Sequence, residues 1–163
     1  DDWGSGTRNR TLIFLNILNA KRSQQMEEGM ESDKITPVIL IEEPESFLHP
    51  QAQAEFGRIL QDLANNLQIQ IIVTTHSPYL VNYVSVAVEA GNIQNKANEG
   101  QIRKIIPLSA LVKSDDLAIY QLNEKEGSVE LLDNYGGIPS DENFLNNEIG
   151  RTNELFADLL DLQ

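Results

Sequence analysis

The sequence predicts an α/β fold, a mostly parallel sheet with flanking helices, followed by a C-terminal β-hairpin and helices. Three observations carry that expectation. Val38-Ile39-Leu40-Ile41 and Ile71-Ile72-Val73 are short runs of branched apolar residues that end abruptly in polar ones, the pattern of buried parallel strands. About one helix of sequence separates them, so the unit is strand, helix, strand. Further on, two strand-like runs flank a glycine-marked turn, and an amphipathic pattern closes the chain.

Taken in order, Gly4 to Gly6 predict a tight turn. From Thr7 the residues Leu12, Ile13, Leu15, Ile17 and Leu18 fit a helix with one broad buried face, running to about Arg22. The polar segment from Gln24 to Thr36, with Gly29 inside it, reads as a surface loop before the strand Val38–Ile41. Pro50 suits the first turn of a helix, along which Phe56, Ile59, Leu60 and Leu63 recur until Asn65-Asn66. The second strand spans about Ile69 to Thr74. Ser77-Pro78 opens a short helical turn carrying Tyr79, Leu80 and Val81. Val84 to Glu89 reads as another strand, Gly91 to Gly100 as a loop and Ile102 to Ile106 as a strand. Leu117 to Leu122 and Ser128 to Leu132 flank Asn123–Gly127 and predict a hairpin turning at the glycine. The tail from Asp141 to Leu162 holds Phe144, Leu145, Ile149, Leu155, Phe156, Leu159 and Leu160. It predicts one or two amphipathic helices broken near Gly150. No repeat or low-complexity tract is present.

The chain has no cysteine, which excludes a disulfide framework and a thiolate zinc site. No apolar run approaches membrane-spanning length and no signal peptide opens the sequence, so a soluble cytoplasmic protein with no membrane partner is expected. The opening residues Asp1-Asp2-Trp3 carry no initiator methionine, and a piece of a longer polypeptide is the expectation. The net charge of −13 is unevenly spread. Residues 1–22 set Arg8, Arg10, Lys21 and Arg22 against Asp1 and Asp2, whereas from Ser114 onward twelve acidic residues face only Lys125 and Arg151. That acidic part suits a solvated surface and is poorly made for gripping a phosphodiester backbone. Any DNA contact therefore comes from elsewhere in the protein.

In an open α/β sheet, ligands bind beyond the carboxyl ends of the strands. Glu42 and Glu43 stand at one such end. A carboxylate there can hold Mg²⁺, directly or through its waters, while its neighbour orients and deprotonates an attacking water. Acidic residues that merely begin a solvated turn before Pro44 are the bland alternative. His76 follows the second strand at once and can donate a ring N–H to a phosphate; the competing role is a loop residue packed before the helix start at Ser77-Pro78. Gly4-Ser5-Gly6-Thr7 precedes an apolar helix, so it presents unpaired backbone N–H groups and a positive dipole end that suit phosphate.

These residues together resemble the second half of an ABC-type P-loop ATPase, in the OLD-like and SMC-like branch of phage defence and DNA repair. Gly4-Ser5-Gly6-Thr7 is similar to the signature motif, Val38 to Glu43 to Walker B with its glutamate, Ser46-Phe47-Leu48-His49-Pro50 to the D-loop, and Thr74-Thr75-His76 to the switch-histidine loop. The resemblance covers roughly residues 1–83 and implies a P-loop NTPase (ABC ATPase-like) C-terminal lobe over residues 1–112, with 113–163 as an acidic extension. It also implies ATP and Mg²⁺ as cofactors. Glu43 would activate the hydrolytic water, Glu42 would serve Mg²⁺, and His76 would contact the γ-phosphate. Gly4, Ser5, Gly6 and Thr7 would reach ATP held by a second subunit, giving a head-to-tail dimer or higher oligomer, with Ser46 and His49 in the loop between the two sites. Two departures stand out. Glutamate replaces aspartate at Glu42, and His49 takes a position that is aspartate in transporters.

No Gly-x-x-x-x-Gly-Lys-[Ser/Thr] occurs in the chain, so the phosphate-cradling Walker A loop is missing; in the family it resembles that loop precedes the signature motif, which fits a chain that starts midway. Alone, this polypeptide is expected to bind ATP poorly and not to hydrolyse it. Nor is there an Asp-x-Asp pair of the kind a Toprim nuclease would need. The leading expectation is an ATPase whose dimerisation controls an effector, a nuclease or a toxin. A non-catalytic assembly module that docks such a partner is the alternative. A hydrolase using Glu42, Glu43, His49 and His76 as metal ligands is the third, although no His-x-x-x-His or comparable spacing supports it.

Overall fold

The computed structural model of the chain describes residues 5–27, 36–95, 99–123 and 126–162. Helix α1 spans Ser5–Glu27 and is followed by strand β1 (Val38–Glu42), helix α2 (Pro50–Leu67), strand β2 (Gln70–Thr74) and helix α3 (Pro78–Ile93). A short helix α4 (Glu99–Ile102) and 3₁₀ turns at Leu108–Ala110 and Ser114–Asp116 lead to hairpin β3 (Tyr120–Asn123) and β4 (Ser128–Leu131). A second, two-residue-stranded hairpin, β5 (Asn134–Tyr135) and β6 (Ile138–Pro139), precedes helix α5 (Phe144–Leu160).

β1 and β2 pair in parallel, from Val38 opposite Gln70 to Glu42 opposite Thr74. The strand–helix–strand expectation holds. Burial on both faces does not. Ile39, Ile41, Ile71 and Val73 turn towards Ile17 of α1 and Phe56 and Leu60 of α2. Val38, Leu40 and Ile72 lie on the other face and are exposed. The period of two along a strand places alternate residues on opposite sides, and only one side of this pair is covered among the described residues.

α2 starts on Pro50 at its first position, with His49 extended before it, and ends on Gln68 in the left-handed region at φ 52°. It therefore runs past Asn65-Asn66. The spacing of Phe56, Leu60 and Leu63 puts one apolar stripe against the sheet, and Phe14 of α1 meets Phe56 with ring centroids 6.1 Å apart, tilted by 60°. Lys21 donates to the Leu67 carbonyl at 3.0 Å, fixing α1 to the end of α2. On α1 itself, Ile17 is fully buried and Ile13 and Phe14 pack against the core, but Leu12, Leu15 and Leu18 are exposed. The buried face is thus narrower than expected. The helix also continues to Glu27, into what the sequence suggested was loop.

The region after Thr74 needs more correction. Val84 to Glu89 is not a strand; it lies inside α3. Its alternation of valines mimics a period of two, yet Leu80, Ala87, Val88 and Ala90 are the buried positions, which is helical spacing. Ser77 caps this helix by accepting the Leu80 N–H at 3.2 Å, and Pro78 sits in its first turn. Ile102 to Ile106 is likewise helical turn rather than strand. The Ile106 N–H donates to the Ile102 carbonyl at 2.9 Å, and Ile102 and Ile106 are buried while Ile105 is exposed. The apolar pair is spaced by four, not two. With Ala87, Ala90 and Ala110 they form a second core cluster. Gly91 leaves room for the Val112 backbone, whose carbonyl oxygen would stand 2.3 Å from a Cβ at that position.

The predicted hairpin is present, antiparallel, with Tyr120 opposite Leu131 and Leu122 opposite Val129, and Gly127 takes φ 64° at its turn. Its polarity is unexpected. Tyr120, Leu122, Val129 and Leu131 face outward and are exposed, while Ser128 Oγ donates to Glu130 on the inner face at 2.9 Å. β5–β6 turns on Gly136 and Gly137, both at positive φ, the two-residue hairpin geometry that favours glycine. α5 runs unbroken through Gly150, capped by Asn143, which accepts the Asn146 N–H at 3.0 Å. Asn146 and Asn82 exchange side-chain amide hydrogen bonds at 3.1 and 3.3 Å, tying the start of α5 to α3. From Asn147 on, every described residue of α5 is exposed. Among the described residues, no helix is long and apolar enough to cross a membrane.

Candidate functional site

The loops leaving β1 and β2 meet at the carboxyl ends of the parallel pair. Glu43 N–H donates to the Thr74 carbonyl at 2.9 Å, one step beyond the strand ladder. The chain then turns sharply, with Glu43 at φ 42° and Phe47 at φ 65°. Non-glycine residues in the left-handed region carry backbone strain, and such outliers cluster at functional sites. Phe47 is also 79 % exposed. The turn holds through Ser46 N–H to the Glu43 carbonyl at 3.0 Å and Leu48 N–H to the Glu45 carbonyl at 2.9 Å.

Within this frame the Glu43 carboxylate and the His76 imidazole stand 3.5 Å apart, Oε1 to Nε2. Ser46 Oγ donates to Glu43 Oε2 at 3.4 Å. Both partners of the Glu43–His76 pair are more than half exposed, so they are open to a ligand in front of the sheet. Glu42 is exposed at the last position of β1. Glu42 and Glu43 offer hard carboxylate oxygens, the donor type Mg²⁺ takes alongside its waters and substrate phosphates. The residues present fit that ion.

His49 is exposed at the N-cap of α2 and makes no side-chain capping bond. Glu42, Glu43, His49 and His76 do not assemble into a metal cage. Among the described residues, no group of three or more such side chains is placed to hold a metal ion. Ser5, Gly6 and Thr7 form the first turn of α1, which begins two residues earlier than expected. Their amides fall among the first four of a helix, which have no intrahelical acceptor. Gly4 lies outside the described residues.

The residue that sequence reasoning passed over is Glu45. It is 9 % exposed, behind the buried Pro44, and its Oε1 accepts from Thr75 Oγ1 and from the His76 N–H, each at 2.7 Å. A carboxylate two positions after Glu43, facing a Thr-His pair at the next strand end, was the available signal.

The AAA ATPase domain family matches residues 1–81, which include both strand ends and α2. A 40-residue stretch, 24 % of this chain, is 58 % identical to "OLD nuclease" of Thermus scotoductus, covering 8 % of that protein. Over 106 residues, 60 % of this chain, it is 29 % identical to "Endonuclease GajA" of Bacillus cereus, covering 15 % of that protein. Residues 1–81 are thus similar to the ATPase domain of OLD-like P-loop ATPases. The chain spans at most 15 % of the length of either curated relative. No solved structure matches it. The Glu43–His76 pair lies within the residues that match the AAA ATPase domain family.

Proposed function

We propose that the intact protein is an ATPase in which Glu43 and His76 act on the γ-phosphate of Mg-ATP. The observation that carries this reading is their 3.5 Å approach across the ends of two parallel strands inside the matched residues. Phosphoryl transfer asks little of protein groups beyond positioning and charge neutralisation. Glu43 takes the proton of the attacking water as general base, and His76 donates a ring N–H towards the phosphate oxygens. Glu42 would hold Mg²⁺ directly or through water, and the bound ion would supply charge neutralisation at the phosphates. No Gly-x-x-x-x-Gly-Lys-[Ser/Thr] loop to cradle them occurs among these 163 residues.

The first-turn amides of Ser5, Gly6 and Thr7, with Gly4 before them, serve a nucleotide bound by a second copy, so two copies close head to tail. Ser46 and His49 stand in the loop between the sites. Phe47, exposed on strained backbone in that same loop, is its aromatic anchor. Closure then controls a nuclease or toxin effector in the cytoplasm, with residues 1–112 as ATPase lobe and 113–163 as acidic extension. Light scattering of the intact protein tests this. Mg-ATP is expected to double the particle mass, and Phe47→Ala to raise the nucleotide concentration needed by about tenfold. An unchanged mass with and without nucleotide would remove the dimer from the account.

A second reading, an assembly module that does not hydrolyse ATP, draws on the exposed apolar faces of β3–β4 and α5. It predicts nucleotide-dependent assembly without phosphate release.

A further inference from the structure

Behind the Glu43–His76 pair runs a chain of hydrogen bonds that the proposed chemistry does not use. Glu45 Oε1 accepts from Thr75 Oγ1 and from the His76 N–H, both at 2.7 Å. Thr75 Oγ1 in turn accepts the Ser77 N–H at 2.9 Å. Ser77 Oγ donates to Gln53 Oε1 at 2.6 Å, and Gln53 Nε2 donates to the Leu48 carbonyl at 2.9 Å. Leu48 N–H closes the loop onto the Glu45 carbonyl at 2.9 Å. The ring joins the loop after β1 and the first turns of α2 to the loop after β2, across 24 to 31 residues of sequence.

We propose that Glu45 is a positioning residue, whose buried carboxylate holds His76 at its working distance from Glu43. Through Gln53 and Ser77 it also locks the His76 loop to the loop carrying Phe47 and His49. This rests on the ATPase reading and adds a residue that acts through His76. The chemistry favours it. Hydrogen bonds to an ionised acceptor are short and about twice as strong as neutral ones, and a buried carboxylate is costly unless such bonds hold it. One of the two bonds is to the backbone of His76 itself, so losing it frees the segment whose imidazole must face Glu43. The ring contains the Phe47–His49 loop, so a push on that loop is transmitted to His76 through hydrogen bonds rather than through the sheet.

The link is tested by steady-state ATP turnover of the intact protein carrying Glu45→Ala, Glu45→Gln, His76→Ala, and Glu45→Ala with His76→Ala. Glu45→Ala is expected to lower kcat about 10- to 100-fold, the cost of misplacing a catalytic group by an ångström or so. Glu45→Gln keeps a carbonyl acceptor at the same reach and is expected to recover to within about threefold of wild type, because neutral bonds replace the two charge-assisted ones without losing either donor's partner. In the His76→Ala background, Glu45→Ala is expected to cost nothing further. Equal losses from Glu45→Ala with and without His76 would show that Glu45 acts on general stability and would overturn the inference. So would wild-type kcat in Glu45→Ala. If His76→Ala alone leaves turnover intact, the ATPase assignment of His76 fails first. Thermal melts of each variant separate unfolding from loss of position.

Discussion

Glu43→Gln in the intact protein is expected to slow ATP hydrolysis by about 100- to 10,000-fold, the range over which a positioned general base contributes. The amide keeps the size of the side chain and can still meet His76, but it cannot take a proton from water. Glu43 sits at φ 42° immediately beyond β1, and its side chain is about half exposed, so the substitution disturbs no core packing. Nucleotide binding should survive, because the role proposed for Glu43 is on the attacking water rather than on the nucleotide. Phosphate release under saturating Mg-ATP measures the loss, and equilibrium binding of a labelled nucleotide checks that the site remains. Turnover within threefold of wild type would remove Glu43 as the base.

The largest expected effect on stability comes from Phe56→Ala. Phe56 is 1 % exposed, packs against Phe14 and lies in the cluster formed by Ile17, Ile41, Leu60 and Ile69. Removing a buried ring forfeits transfer energy and leaves a cavity, together about 3–5 kcal/mol. Small domains hold only about 5–15 kcal/mol in all. Urea unfolding should therefore show a strongly lowered midpoint with little change in slope. Because α2 supports the face of β1–β2 opposite its exposed side, loss of the site is expected to accompany loss of fold in this variant, unlike in Glu43→Gln.

Much of the site-bearing half was legible in the sequence. The branched runs Val38–Ile41 and Ile71–Val73 ended where the strands end, within a residue. Their length and separation imposed parallel pairing, which brought Glu43 and His76 together. What strand pattern alone could not tell was which faces are covered. Val38, Leu40 and Ile72 have the composition of buried residues and are exposed. Past Thr74 the local signal was ambiguous. Val84-Ser85-Val86-Ala87-Val88 alternates like a strand, but the cap at Ser77 and contacts at Leu80, Ala87 and Ala90 make it helix, and tertiary packing overrides β-propensity there. The Glu45 ring escaped notice because it depends on the loop carrying Glu45, on Gln53 of α2 and on Thr75 and Ser77 of the loop after β2 arriving together. No spacing within one segment encodes that.

A cycle of ATP turnover measurements on wild type, Glu43→Gln, His76→Ala and the double variant bears most directly on the central assignment. Residues that act as one unit on one transition state show strongly non-additive losses. The account predicts that the double variant is slower than Glu43→Gln alone by no more than about threefold. Losses that multiply in full, each substitution costing the same in either background, would mean that the two side chains do not serve a common phosphate.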